Sequence, residues 1–129
     1  MKRTRLKRKS KTPVALLRER ADALCTPVAM KLHPKCELLC GRDTQVGHHY
    51  IRKAKSNALR YYIPNLIGLC NNCHGELHKW NETICSNRIR DIRGEDWWKD
   101  IYARKESYCK VDRFFYENGY RTLNEALQN

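Results

Sequence analysis

The chain has no apolar run long enough to span a bilayer, and it is short of acids, with 14 Asp and Glu against 26 Lys and Arg in 129 residues. A membrane-spanning helix needs about 20 apolar residues in a row, so an integral helical membrane protein is not expected. Also missing is the apolar stretch with a small-residue cleavage site that marks a secretory signal. The cytoplasm is the expected location. No internal repeat appears, and no low-complexity segment beyond a basic N-terminal arm, so nothing marks a repeat array. The shortage of acids leaves a formal charge of +12, with +11 in residues 1–85 and +1 in residues 86–129. A field of that sign attracts polyanions, and nucleic acid is the commonest such partner. Simple solubility and attraction to an anionic membrane surface are the other readings of the same charge.

What is present reads as one folded domain, since the length suits one and 31% charged with 9% aromatic residues is a soluble, foldable composition. Residues 1–11 form the basic arm, carrying Lys2, Arg3, Arg5, Lys7, Arg8, Lys9 and Lys11 and no acid. Such an arm suits phosphates, or else is a solubilising end. Residues 12–35 read as a helical segment, with Thr12 as N-cap, Pro13 in the first turn and Val14, Leu16, Leu17, Ala21 and Leu24 at helical spacing. Pro27 and Pro34 are expected to break the chain. Residues 36–80 read as strand (within Thr44–Tyr50), loop, strand (Leu66–Leu69) and a helix from Asn71 or Asn72 to about Trp80. Residues 81–129 read as a helical extension: one helix with Ile89 and Ile92 ending at Gly94, and a second with Trp97, Trp98, Ile101 and Tyr102. A third carries Val111, Phe114 and Phe115 and stops at Asn118-Gly119, and a short last one is capped by Thr122 and Glu125. The fold class is α+β.

Seven cysteines without a secretory signal argue for metal rather than disulfides. Cys36-x3-Cys40 and Cys70-x2-Cys73 are two pairs separated by 29 residues, and four thiolates close a tetrahedral shell around structural zinc. Cys25 is an alternative to one member of the first pair, and buried unliganded cysteines are the plain alternative to the whole site. A second ligand group is His48, His49, His74 and His78. On the expected helix His74 and His78 are four residues apart and project from one face, so they can chelate one ion. Cys73 and His74 are adjacent and point about 100° apart, which argues for two separate sites. A single Cys2His2 finger would need 33 residues between its halves, far beyond the usual ~12.

The stretch Gly47-His48-His49-Tyr50-Ile51, then Asn65 to His74, then His78, resembles the His-Asn-His (HNH, or ββα-metal) nuclease motif. It is most similar to phage recombination proteins of the NinG type, over about residues 36–80. The spacings of 16 residues from His49 to Asn65, 9 to His74 and 4 to His78 suit that family, including its colicin-type DNases. The resemblance implies a ββα-metal core and a DNA endonuclease. His49 would be the general base, with an imidazole pKa of ~6.5 near working pH. Asn65 would brace the loop that orients it. His48, His74 and His78 would hold one divalent ion (Mg²⁺, Mn²⁺, Ni²⁺ or Zn²⁺) acting as a Lewis acid. Which of the two adjacent histidines is base and which is ligand stays open.

Arg52, Lys53, Lys55 and Arg60 lie between the strands and are expected to contact phosphates, which fixes register without reading sequence; a solvated loop is the alternative. Tyr61 and Tyr62 are expected to pack against the cysteine knuckle rather than stack on bases, and Trp97 and Trp98 to fill the core of the tail. Cys85, Cys109 and His33 read as structural. The expected partner is DNA, including branched or recombining forms, with homodimerisation open and no membrane. The competing readings are a non-catalytic zinc module binding DNA junctions or RNA, and a toxin-like nuclease domain with an immunity partner.

Overall fold

Thr12 presents its hydroxyl to the backbone N–H of Ala15, and Pro13 fills a first-turn position where no N–H is needed, so a helix starts there. This is α1 (Pro13–Ala23), the first element in a computed structural model that describes residues 10–79 and 81–129. The expectations for Lys2, Arg3, Arg5, Lys7, Arg8 and Lys9, and for Trp80, lie outside the described residues. The next helix, α2 (Cys25–Leu32), follows after a single residue. Pro27 was expected to interrupt the chain, but it occupies the first turn of α2, where its missing N–H costs nothing.

The strands β1 (Val46–His49) and β2 (Leu66–Leu69) pair antiparallel, with Val46 opposite Leu69 and His49 opposite Leu66. Four helices follow: α3 (Asn71–Lys79), α4 (Glu82–Arg93), α5 (Glu95–Lys105) and α6 (Arg113–Gln128). The described residues thus form an α+β fold of six α-helices and one two-stranded sheet. No helix among them is long and apolar enough to cross a membrane.

The hairpin divides two cores. Successive side chains on a strand point to opposite faces. Ile67 and Leu69 enter one core with Leu38, Leu77, Cys85 and Ile89, on the side of α3 and α4. Leu66 enters the other, with Ala21, Val28, Tyr61, Tyr116 and Leu123, on the side of α1, α2 and α6. The glycines obey the same alternation. A side chain at Gly47 would strike the backbone of Cys25 in α2 at 2.8 Å, so α2 lies directly on that face of β1.

The tail departs from expectation in two places. Residues 113–128 form one continuous helix, so Gly119 does not end it and Thr122 caps nothing. Asp112 is the N-cap, accepting from the Phe115 N–H at 3.0 Å. Gly119 is used for close approach: a Cβ there would lie 2.2 Å from the Tyr61 ring. Tyr61 accordingly packs on α6, against Phe115 and Tyr116, and not on the cysteine knuckle. Trp97 is half-buried against Tyr50 and donates to the Pro64 carbonyl at 2.8 Å. Trp98 is not in the core clusters; it stacks on Tyr102, and the Arg90 guanidinium lies over its ring, 3.7 Å from the centroid.

Candidate metal centres

The four cysteines come from two tight turns. Cys36 and Cys40 flank a turn completed by Leu39 and Gly41, both at positive φ (59° and 84°). Cys70 directly follows β2, and Cys73 lies in the first turn of α3, where its N–H donates to the Cys70 sulfur at 3.3 Å. The four Sγ atoms all lie within 4.8 Å of one another, and Cys40 and Cys70 are 3.6 Å apart. A tetrahedral zinc with Zn–S bonds of ~2.3 Å separates its sulfurs by about 3.8 Å, so the donor set and its spacing fit zinc. Cys36, Cys70 and Cys73 are buried and Cys40 is exposed. Burial pushes the Cys70 thiol up, but hydrogen bonds from the Cys73 N–H and the neighbouring thiols bring it down to about 6. That shift favours the thiolate, the form that binds metal.

Cys25 is not a member of this group. It lies in α2 on the other side of the hairpin, buried, with its sulfur 3.8 Å from His49 Nε2. Glu37, between the first two cysteines, accepts from Arg93 of α4 through both oxygens at 2.7 and 2.9 Å, and from the Gly68 N–H at 2.7 Å. Arg93 also donates to the carbonyls of Pro64 and Leu66 and to His33 Nε2. This network, which pattern reading missed, ties the cysteine turn to β2 and to the tail. A lone Glu and a lone Arg 56 positions apart carry no local signal of pairing.

The second group is built by β1 and α3. His48, His74 and His78 each offer a ring nitrogen within 4.8 Å of the others. His74 and His78 are 2.9 Å apart at Nε2, and the His48 ring centroid is 5.4 and 5.5 Å from theirs. Ligand nitrogens at ~2.1 Å from a tetrahedral ion stand about 3.4 Å apart, so a modest opening admits a cation. Three ligands leave part of such a shell free. Burial, with the charges of His74, His78, His49 and Arg52, pushes His48 down to about 3. It is neutral at any working pH, as a metal ligand must be. His48 is buried, His74 half-buried and His78 exposed, so the group opens to solvent on the α3 side.

His49 is not brought into that group. The pleat sends it to the α2 face, where its Nε2 lies 2.9 Å from the Arg60 carbonyl oxygen. A carbonyl only accepts, so Nε2 carries the proton and the lone pair is left on Nδ1. Burial pushes the His49 pKa down, against the raising effect of that bond.

Asn65 is fully buried and all its polar atoms are used. Its Oδ1 accepts from the Ile51 N–H at 2.9 Å, and its Nδ2 donates to the carbonyls of Ile51 at 3.1 Å and Leu59 at 3.2 Å. Its backbone carbonyl accepts from the Tyr50 N–H at 2.9 Å. Asn65 thus clasps both ends of the loop whose next residue supplies the carbonyl that holds His49.

Among the loop cations, Lys53 and Lys55 are exposed, and Arg52 forms an exposed pair with Glu82 at 2.6 Å. Arg60 corrects the expectation of a phosphate contact. Its guanidinium grips Asp22 of α1 through two bonds of 3.0 and 2.6 Å, and Tyr61 donates to the same carboxylate at 2.9 Å. The carboxylate occupies the Nε–Nη2 edge of the guanidinium, so that edge of Arg60 serves the fold.

The chain matches no family model, no curated protein and no solved structure.

Proposed function

We propose that this protein is a metal-dependent endonuclease that hydrolyses phosphodiester bonds in DNA, of the His-Asn-His kind that its motif resembles. The observation that supports the reading most strongly is the convergence of His48, His74 and His78 from a strand and a helix; the fourth imidazole, His49, is the next residue of the same strand. His48, His74 and His78 would hold one divalent ion, and the bound ion would supply Lewis-acid stabilisation to the phosphate oxygens and leaving oxygen. The remaining work falls to the chain. The Arg60 carbonyl holds His49 in the tautomer with a free Nδ1, which would take the proton from the attacking water. Asn65 keeps the loop, and with it that carbonyl, in place. Arg52 and Lys53 would lie along the strand backbone, Arg52 exchanging its exposed contact with Glu82 for a phosphate. The four-cysteine cluster would carry zinc as a staple. A role in phage DNA recombination or processing follows from the resemblance alone.

A second reading has its own support. His49 sits on the opposite face of β1 from the other three histidines, engaged with Arg60 and Cys25. A non-catalytic zinc-stapled module that binds DNA junctions or RNA would need no free imidazole. Nicking of supercoiled plasmid with Mg²⁺, Mn²⁺ or Ni²⁺ separates the two. The nuclease reading expects cleavage by the wild type and its loss in His49→Ala. Full activity in that variant removes His49 as base. No cleavage of plasmid, branched DNA or RNA under any metal leaves the binding module.

A further inference from the structure

Between the interstrand loop and the turn after α5 lies a cavity of about 360 Å³ that the metal centres do not use. Lys55, Ser56 and Asn57 line one side, and Lys105, Glu106 and Ser107 the other. Ser56 is only 5% exposed, and its Oγ has no hydrogen-bond partner among the described residues. A buried hydroxyl left unpaired is costly, and in a folded protein it asks for an explanation. Neither lysine has a carboxylate within ion-pair reach among the described residues, although Lys105 also lies 5.3 Å from the Tyr102 ring. Glu106 is the one acid in the lining, so the cavity is net positive. Tyr108, which also lines the cavity, is 92% exposed.

Two ammonium groups and three hydroxyl or amide side chains, one of them the unsatisfied Ser56, make a receptor for a tetrahedral oxyanion. The two halves come from segments fifty residues apart in sequence (55–57 and 105–107), so the site exists only when the tail is folded against the loop.

We propose that this cavity binds one backbone phosphate of the nucleic-acid strand, with Lys55 and Lys105 as its charge partners, Ser56 as a hydrogen-bond donor and Tyr108 against the adjoining sugar or base. The inference rests on the reading of the protein as one that handles DNA. It assigns the helical tail a place in the DNA surface, extending the contact made by Arg52 and Lys53 along the same loop. The site supplies position and charge, not sequence.

The test is binding of the full chain to duplex DNA at rising KCl without added divalent ion, so that nothing is cut. Each phosphate contact contributes about 0.9 to the slope of log K against log salt. The double variant Lys55→Gln/Lys105→Gln is expected to lower that slope by about 0.9. Ser56→Ala should weaken binding about fivefold at unchanged slope. Lys99→Gln/Lys110→Gln, the same charge change elsewhere on the tail, should leave the slope as it was. Circular dichroism of each variant checks the fold. An unchanged slope in the first variant overturns the proposal, as does an equal fall in the control. So does saturable binding of inorganic phosphate that the first variant abolishes without any change toward DNA. A slope that falls as expected in a protein that never cuts keeps the cavity and removes the nuclease reading. Cleavage with an unchanged slope removes the cavity alone.

Discussion

The two sides of the hairpin are stabilised by different chemistry. On the α3 and α4 side, the core around Ile67 and Leu69 includes three of the four clustered cysteines, and α3 carries ligands of both metal groups. On the α1, α2 and α6 side there is no such cluster among the described residues; Leu66, Val28, Tyr116 and Leu123 pack with Tyr61, and Asp22 binds Arg60. A chain of this size buries a modest core. Splitting it in two leaves each half small, and the half that spends its helix on Cys and His has a four-cysteine group that can hold an ion. The other half can rely on apolar area, with one ion pair to set the loop. The contrast extends to the two metal groups. The cysteines offer four ligand atoms, enough to close a tetrahedral shell, whereas the histidines offer three.

The largest effect should come from breaking the cysteine side. Structural zinc in small domains binds with roughly 10–16 kcal/mol, as much as a whole domain's stability. Cys73→Ser is therefore expected to unfold the protein, with loss of stoichiometric zinc, measured by circular dichroism and elemental analysis. A folded Cys73→Ser protein would mean that the two sides do not differ in this way. Graded chelation sharpens the same point. The three-histidine group, open to solvent on the α3 side, should lose metal first, stopping cleavage while the fold persists, and one shared transition would contradict two separate sites.

Next is His49→Ala, which under the proposed chemistry removes a general base worth about 10²–10⁴ in rate. Plasmid nicking should fall by that factor while zinc content and thermal melting stay close to wild type.

On the apolar side, Gly119→Ala forces a methyl group into the Tyr61 ring, and such overpacking costs about 3 kcal/mol. Urea denaturation should report it, with metal content unchanged; a neutral result would show that the Tyr61 contact is slack. The smallest effect concerns Asp22. Burial pushes its carboxyl up, but the hydrogen bonds from Arg60 and Tyr61 and the charges of Arg60 and Lys53 outweigh this and hold it below 3.8. Its stabilising contribution is thus fully present above the unfolded value and is lost as pH falls through the folded one. Asp22→Asn should cost about 2 kcal/mol at pH 7. The gap from wild type should close as the solution is acidified below about pH 4, and a gap constant down to pH 2 would contradict the ionic origin.

Much of this was legible beforehand where the signal is local. Thr12 and Pro13 announce α1, the short apolar run at 66–69 announces β2, and the cysteine and histidine spacings name both ligand groups. Signals failed where a distant partner overrules a local preference. Gly119 reads as a helix end because glycine usually is one, yet here Tyr61, from a loop 58 residues away, needs its bare backbone. Arg60 reads as a free cation because Asp22 lies in another helix. Trp98 reads as core because it is large and apolar, yet α5 turns it outward onto Tyr102.

The amino-acid sequence by itself determined which residues can ligate and that His48 and His49 must part, since ligand chemistry is a property of side chains and the pleat has a period of two. Only tertiary structure decided which of the two meets α3 and which meets α2. That choice depends on how the helices pack on the two faces of the hairpin, a matter of burying Ile67 and Leu69 against one set of helices and Leu66 against the other, which no local pattern in the chain encodes.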